Sequence, residues 1–330
     1  MDLKRWILTI VGCLLGVIFL WLAFRDVSLY ELAHGIRQMH LWYLIPCALL
    51  LMGAQLARAF RFGVIVSPFC ELNLRSLWDL VNIWNAANMI LPGRLGELVR
   101  PYLLQQRGIS FSSVFGAVMV ERFFDLSALL FLLGIVLLNT QDTPQTFLFL
   151  GKMLLIFLTL GYVLVLVLLV KRELAVNFVR KITSVLPKKV GNFIEVVFEK
   201  LLEGLTIMSS AKQAGIIFLY SVLVWLLFST TTYCLLLAFS IESPYLVAVT
   251  IQVFIALGVA LPSAPGFVGT FHAAGRYALS LFGVGSVIAI SFATVYHLFN
   301  LLLTLLLGVV SYATGDYRFK SGAVFSKSHT

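Results

Sequence analysis

Long runs of apolar residues restrict the fold of this chain more than any other feature. The first run, "WILTIVGCLLGVIFLWLAF" at 6–24, lacks a small-residue cleavage site, so we expect a retained helix. About 18–20 apolar residues let a helix cross the ~30 Å hydrocarbon layer of a bilayer. Because 60% of the 330 residues are hydrophobic and no ten-residue alternation of barrel strands occurs, we expect an all-α polytopic membrane helix bundle. We predict a single integral membrane domain over 1–330, with full spans at 6–24, 41–57, 112–138, 146–170, 214–240 and 286–312.

Two further apolar runs are interrupted by proline and glycine. The run 76–104 breaks at Pro92, and the run 245–282 breaks at Pro262 and Pro265. Each piece is short for a full span, and non-helical backbone inside a membrane must lie against protein or a polar cavity. We therefore predict two re-entrant hairpins made of broken helices. The alternative is that the Pro-Gly pairs only kink ordinary spans.

Lysine and arginine predict the orientation of the bundle, because cytoplasmic segments carry an excess of them. With the N-terminus inside and each interrupted run returning to its own side, nineteen of the 24 Lys and Arg residues fall on the inner side, three outside and two within spans. We therefore predict that both termini are cytoplasmic. The first hairpin then enters from the cytoplasm and the second from the outside.

The two interruptions share a P-G-x-x-G frame, "PGRLG" at 92–96 and "PGFVG" at 265–269. The proline ends one half-helix and the glycines permit a tight turn; these glycines are Gly93, Gly96, Gly266 and Gly269. Two broken helices in opposite orientation, one in each half, are typical of transporters with inverted repeats and a site near the membrane midplane. A half-helix N-terminus at Gly93 to Gly96 would present unpaired N–H groups to an anion such as phosphate.

Polar side chains accompany the first interruption at helical spacing. Asp79, Asn82, Asn85 and Asn88 precede it at steps of three residues, and Arg94, Glu97 and Arg100 follow it at the same step. Side chains three apart are neighbours on a helix, so Glu97 can pair with Arg94 and with Arg100. One carboxylate between two guanidiniums leaves a positive charge that suits a phosphate headgroup. The alternative is a structural network near the cytoplasmic face.

The next predicted span carries three charges in "VMVERFFDLSALL", namely Glu121, Arg122 and Asp125. An ionised residue at the centre of a membrane helix costs about 2.5–3.5 kcal/mol, so these side chains should face the bundle interior and have partners. We predict that Arg122 pairs with an acidic residue of the first hairpin, or Asp125 with Arg94 or Arg100. A structural salt bridge between helices is an equally good reading.

The second hairpin carries His272 and Arg276 one turn apart, and the last span carries His297. A buried histidine is either a neutral packing residue or, beside a counter-charge, a proton carrier. No H-E-x-x-H, G-x-S-x-G or Walker motif occurs, so we expect no metal, no cofactor and no catalytic residue in this chain. The scattered cysteines predict packing roles rather than a disulfide framework; they are Cys13, Cys47, Cys70 and Cys234.

The longest polar segment, 171–212, carries two apolar stripes separated by Pro187. It predicts two amphipathic helices at the cytoplasmic surface, where basic residues would meet anionic lipid. An equally good reading is a connector that covers the cytoplasmic ends of the bundle. Residues 313–330 are predicted to form a cytoplasmic tail.

Four stretches together resemble the membrane region of lysylphosphatidylglycerol synthases, the multiple peptide resistance factor group, and its stand-alone flippase-like relatives. They are "NAANMILPGRLGELVRPYLL" at 85–104, "VERFFDL" at 120–126, "RAFRF" at 58–62 and "LPSAPGFVGTFHAA" at 261–274. The resemblance covers essentially the whole chain in order and spacing. Many relatives read P-G-G-x-G-x-x-E in the second hairpin, and His272 stands where that glutamate would be.

This resemblance implies movement of a lipid between leaflets, which the family's membrane region is thought to perform on an aminoacylated phospholipid. The chain ends about fifteen residues after the last predicted span, so we expect no synthase domain and no aminoacyl transfer. The substitution at His272 implies that the cargo differs from a lysyl lipid. We therefore expect a flippase-like transporter of a phosphate-containing phospholipid or glycolipid in the inner membrane, with anionic lipids as partners and no nucleic acid. Homo-oligomerisation stays open.

In this expectation Arg94, Arg100 and the half-helix N-terminus bind the anion. Glu97, Arg122 and Asp125 balance the charge, with His272 and Arg276 as the opposing gate. The predicted substrate-binding residues are Asn85, Asn88, Gly93, Arg94, Gly96, Glu97, Arg100, Glu121, Arg122, Asp125, Gly266, Gly269, His272 and Arg276. Two other classes stay open, a membrane-embedded transferase with Glu97 or His272 as general base, and a non-catalytic accessory protein.

Overall fold

A computed structural model describes residues 17–138, 172–184, 186–187, 211–261 and 264–319, with isolated helical positions within 145–163 and 191–198. All regular elements in these residues are α-helices or 3-10 helices and none is a strand, which confirms the all-α prediction. More than half of the predicted span 146–170, almost all of the second amphipathic helix, Cys13 and most of the first span lie outside the described residues.

The described helices have the following order and bounds. A helical segment over 17–24 precedes α1 (Leu29–Arg37), α2 (Leu44–Val66), α3 (Leu74–Ile90), α4 (Val99–Gln105), α5 (Phe111–Leu138), α6 (Arg172–Thr183), α7 (Ala211–Ala238), α8 (Tyr245–Ala260), α9 (Thr270–Ser280) and α10 (Ser286–Thr314). Helix α6 is the first of the two amphipathic helices that the sequence predicts in the connector.

Among the described residues, three helical stretches are long and apolar enough to cross a membrane, Leu41–Val66, Ala211–Ala238 and Ser286–Thr314. Helix α5 is 28 residues long, but every 18-residue window within it contains Glu121, Arg122 and Asp125. The predicted span 41–57 was too short, because α2 continues as one helix to Val66. Arg58 and Arg61, which the sequence placed in a cytoplasmic loop, therefore lie inside a helix of the bundle.

Both interrupted runs are broken next to the prolines that interrupt them, Pro92 in the first run and Pro262 in the second. In the first, α3 ends at Ile90, a 3-10 helix covers Pro92–Leu98, and α4 follows; we call Pro92–Leu98 the first break. The helix after the break therefore begins at Pro92 in 3-10 form and becomes an α-helix at Val99, so the predicted N-terminus at Gly93 to Gly96 belongs to a 3-10 helix. A Cβ on Gly96 would collide with the backbone nitrogen and side chain of Asn88, so glycine lets the break fold back onto α3.

The second run is interrupted between α8 and α9, and we call its described residues 264–269 the second break. Its glycines Gly266 and Gly269 have φ angles of 71° and 91°, in the left-handed region that glycine tolerates. The residues at the third position of the two frames, Arg94 and Phe267, also have positive φ angles, of 58° and 59°. A non-glycine residue in this conformation costs on the order of 1–2 kcal/mol, so surrounding contacts must hold both breaks in place.

The chain repeats one order of elements. Helices α2, α3, α4 and α5 of the first half correspond to α7, α8, α9 and α10 of the second, with a break after α3 and after α8. The contacts between the halves agree with this correspondence. Helix α2 packs on its counterpart α7, and α3 packs on α10 as their counterparts α8 and α5 pack on each other. The two breaks also touch each other. The two breaks therefore lie at the centre of the contacts between the halves.

Candidate functional site

Arg61 is fully buried and joins three helices. Its guanidinium lies 2.5 Å from Glu121 and 2.5 Å from Asp125, both on α5, and donates a hydrogen bond of 2.7 Å to the hydroxyl of Ser221 on α7. The side chains of Arg61 and Glu121 have no solvent exposure. Because a buried charge is very costly without a partner, these ion pairs fix how α2, α5 and α7 meet.

Arg100 is also fully buried, between two aromatic rings. Its guanidinium lies 4.3 Å from the ring centroid of Phe62 and 4.1 Å from that of Trp84. It pairs with Glu121 at 2.7 Å, and with Glu97 at the longer distance of 4.0 Å. Stacking on ring faces and ion pairing together stabilise a guanidinium out of water. Arg100 therefore connects α4 to α5.

Trp84 on α3 is the common neighbour of several charged groups. Its indole N–H donates to Glu97 at 3.0 Å, and the guanidiniums of Arg58 and Arg122 lie 5.6 and 5.4 Å from its ring centroid. We call the group around this ring the charge network; its members are Arg58, Arg61, Glu97, Arg100, Glu121, Arg122 and Asp125. Four guanidiniums face three carboxylates in it, so it carries one excess positive charge.

Arg122 is the most exposed of the arginines that form ion pairs in the charge network. Its side chain is 31% exposed and lies 3.2 Å from Glu121 and 3.2 Å from Asp125. Among the described residues, its Nε and one terminal nitrogen have no hydrogen-bond acceptor in good geometry. Both nitrogens are buried, and one of them, Nη2, faces the two carboxylates, so an external acceptor can reach Arg122 only at the exposed part of its side chain.

Arg94 joins the two breaks. Its guanidinium donates to the carbonyl oxygen of Val259 at 2.7 Å and lies 5.8 Å from the ring centroid of Phe267. Val259 is in the last turn of α8, where carbonyl groups have no partner within the helix. No carboxylate of the described residues lies within 4.0 Å of Arg94, so the predicted Arg94–Glu97 pair does not form.

The other predicted pairings also change in the structure. Asp125 pairs with Arg61 and Arg122, and Arg122 pairs with its neighbours on α5 rather than with a hairpin carboxylate at ion-pair distance. The reason is that Arg61 lies on α2 and reaches α5 directly. Arg58 and Arg61 appear in "RAFRF" at 58–62, and their spacing of three residues on one helix face is the signal that could have placed them in the site.

The asparagines before the first break have different environments. Asn88 is buried and donates to Glu97 across 3.4 Å, which links α3 to the break. Asn85 is half-buried, and Asn82 donates to a backbone carbonyl of its own helix. Asp79 pairs with Arg75 at 3.1 Å near the start of α3, outside the charge network.

The second half carries a neutral counterpart of the charge network. The sequence "VYHLFNL" at 295–301 in α10 corresponds to "VERFFDL" at 120–126 in α5, with tyrosine, histidine and asparagine in place of the charged residues. There Tyr296 and Thr232 both donate to the side-chain oxygen of Gln252, at 3.0 and 2.9 Å. We call these three buried residues the neutral network. The two halves therefore share a fold but differ in charge.

Two histidines lie beside the second break. The ring nitrogen Nε2 of His297 lies 2.6 Å from the carbonyl oxygen of Gly266, and since a carbonyl only accepts, this nitrogen carries the proton. The ring of His272 lies 4.8 Å from that of His297, centroid to centroid, and 5.5 Å from that of Phe24. In the part of the chain that the structure describes, no three His, Cys, Asp or Glu residues are grouped as metal ligands.

Arg276, one turn after His272, faces away from the breaks. It donates to the carbonyl oxygens of Leu22 and Ala23 at 3.1 and 2.7 Å and pairs with Asp26 at 2.8 Å. A cation at these carbonyls stabilises the end of the helical segment over 17–24. The hydrogen bond from Arg276 holds the pKa of Asp26 below its usual value. Its contacts are those of an anchor for that segment.

The comparisons with known proteins agree with this architecture. The sequence matches the family described as "Lysylphosphatidylglycerol synthase TM region" over residues 9–308, which include both breaks and the charge network. A curated relative, a "UPF0104 membrane protein" of Methanothermobacter thermautotrophicus, is 25% identical over 282 residues, which cover 82% of this chain and 82% of the relative. The chain is therefore an integral membrane protein that belongs to the lysylphosphatidylglycerol synthase transmembrane region family.

Proposed function

We propose that this protein is a flippase-like transporter that moves a phosphate-containing phospholipid or glycolipid between the leaflets of the cytoplasmic membrane. In this proposal the two broken helices are re-entrant hairpins, and both termini are cytoplasmic, as the Lys and Arg distribution predicts. The observation that carries the proposal is the partly exposed side chain of Arg122 in an otherwise largely buried network with an excess positive charge.

The chemistry of the charge network favours an anionic ligand. The side chain of Arg122 is 31% exposed, and the carboxylates beside it hold it in one place. A phosphate accepts two parallel hydrogen bonds from one guanidinium, and it would neutralise the excess charge. A lipid headgroup could enter such a site while its tails remain in the bilayer.

The predicted site residues take different roles in this proposal. Arg122 and Arg94 contact the phosphate, because both are partly accessible. Arg100, which the sequence assigned to the anion, has no exposed side-chain surface and instead holds Glu121 and Glu97 in position. The fold-back at Gly96 brings Asn88 to Glu97, so these two residues position the first break.

A lipid-scrambling assay with purified, reconstituted protein tests this function. Liposomes carry phosphatidylglycerol labelled with a fluorophore on one acyl chain, and dithionite reduces only the fluorophores in the outer leaflet. We expect wild-type protein to make the inner-leaflet label accessible, and Arg122→Gln to slow this by at least about tenfold, since a charge-assisted hydrogen bond contributes about 1.5–3 kcal/mol. Arg122→Lys keeps the charge but not the two-pronged geometry and should be intermediate.

Two controls separate transport from general leakage. Arg107→Gln removes an exposed arginine that stacks on Tyr317, 4.1 Å from its ring centroid, outside the charge network, and should leave the rate unchanged. A phosphate-free glycolipid with the same fluorophore should not be moved. Wild-type liposomes that behave like protein-free ones, or equal rates for both lipids, would contradict the proposal.

A further inference from the structure

The contact between the two breaks depends on one charged side chain. Arg94 in the first break donates to the carbonyl oxygen of Val259 at 2.7 Å and lies over the ring of Phe267 in the second. The residues Arg94 and Phe267 occupy the same position of the two P-G-x-x-G frames and share the left-handed backbone conformation. A direct link between the two halves therefore runs through this guanidinium.

The partners of Arg94 are weak for a partly buried cation. A carbonyl oxygen and a ring face carry only partial negative charge, and none of the described carboxylates lies within 4.0 Å. An anion offers a full charge and two acceptor oxygens, and so it competes well for this guanidinium. The carbonyl of Val259, at the C-terminal end of α8, would then exchange its arginine for other donors.

We propose that Arg94 is a latch between the two breaks, and that a phosphate group opens the latch by taking the guanidinium from the carbonyl of Val259. This inference rests on the proposed function and deepens it, because it names the contact that ligand binding changes. Binding at the first break thereby frees the second break, which belongs to the other half of the protein. The latch couples occupancy of the site to the relative position of the halves.

Hydrogen–deuterium exchange of the full chain in a phosphate-free maltoside detergent tests the latch. The readout is the exchange rate of the backbone amides of 266–269, which belong to the second break and lie outside the charge network. In the absence of ligand, Arg94→Gln should raise this rate roughly tenfold or more, because a hydrogen bond to a charged group is lost and the local opening population rises. Arg94→Lys retains a donor and should fall between the two.

The ligand arms distinguish a latch from a purely structural contact. Short-chain phosphatidylglycerol should raise the exchange of 266–269 in wild-type protein, whereas Arg94→Gln should already be at the raised rate and no longer respond. Inorganic phosphate in a parallel sample distinguishes free anion from lipid headgroup as the source of the effect. Arg107→Gln is the matched control and should follow wild type in every arm.

Two results would overturn the inference. The first is an Arg94→Gln protein whose ligand-free exchange at 266–269 equals that of wild type. The second is a wild-type protein that binds phosphatidylglycerol in native mass spectrometry while exchange at 266–269 stays unchanged. If the protein binds neither probe, both the release step and the proposed function are overturned. The ligand-free comparison of Arg94→Gln with wild type would still decide whether Arg94 holds the two breaks together.

Discussion

The substitution Glu121→Gln tests whether the charge network holds the bundle together. The carboxylate of Glu121 has no solvent exposure and lies 2.5 Å from Arg61, 2.7 Å from Arg100 and 3.2 Å from Arg122. Glutamine keeps the shape and one acceptor oxygen but removes the charge. Four guanidiniums then face two carboxylates in the network, and arginine does not deprotonate in proteins.

Breaking a buried ion pair by neutralising one partner costs about 3–5 kcal/mol, because the remaining charge stays out of water. We expect Glu121→Gln to lose stability in this range, at its upper part because three arginines share the carboxylate. Asp125→Asn is the matched comparison. Its side chain is 11% exposed, and Arg61 keeps Glu121, so we expect a loss of only about 1–3 kcal/mol.

Unfolding of the purified protein in mixed detergent, followed by tryptophan fluorescence and by size-exclusion chromatography, measures both losses. A Glu121→Gln protein within about 1 kcal/mol of wild type would refute the reasoning, because no buried charge would then depend on this carboxylate. A larger loss for Asp125→Asn than for Glu121→Gln would contradict the assignment of Glu121 as the centre of the network. The double substitution Glu121→Leu/Arg100→Leu should recover part of the loss, since it removes both members of one pair.

Three further predictions follow from single contacts. Gly96→Ala should destabilise the protein by about 1–3 kcal/mol in the same unfolding assay, because the added Cβ collides with Asn88; Gly134→Ala, which meets no atom within 4 Å, is its control. Since the folded-state pKa of Asp26 is lowered, its pairing with Arg276 should persist above the usual aspartate pKa of about 3.9 and be lost as pH falls through the lower folded value; hydrogen exchange of 17–24 should rise there, and an Asp26→Asn variant should show no such step. Tyr296→Phe removes one of two donors from the neutral network and should cost about 1 kcal/mol, whereas an unchanged unfolding midpoint would show that this hydroxyl contributes nothing.

The sequence was informative about the breaks and about the long helices. Two prolines, Pro92 and Pro262, predict where α3 and α8 end, because proline cannot continue a helix. Hydropathy found the helices that became α2, α7 and α10, although the first was predicted nine residues too short at its end. The error arose because Arg58 and Arg61 read as the end of a span, when α2 in fact buries them against other helices.

The partners of the charged residues could not be read from sequence spacing. Rules for side chains three or four apart predict pairs within one helix, and from them we predicted the contact between Glu97 and Arg100, which forms at 4.0 Å, but not the contact between Arg122 and Asp125. The shortest ion pairs instead join residues 60 or more positions apart, such as Arg61 with Asp125. Arg276 likewise contacts a helix end some 250 residues earlier in the chain.

By itself the sequence determined that the chain is an all-helical membrane protein with two broken helices and charges that must be paired. These properties depend on local chemistry: apolar length, proline and glycine in a helix, and the cost of an isolated charge in hydrocarbon. The tertiary structure alone decided which carboxylate meets which arginine, and that Arg94 joins the breaks while Arg100 is enclosed between two rings. These contacts depend on how helices that are distant in sequence pack together. The exposure of each arginine side chain also depends on that packing, and it distinguishes an anchoring arginine from one that can receive a ligand.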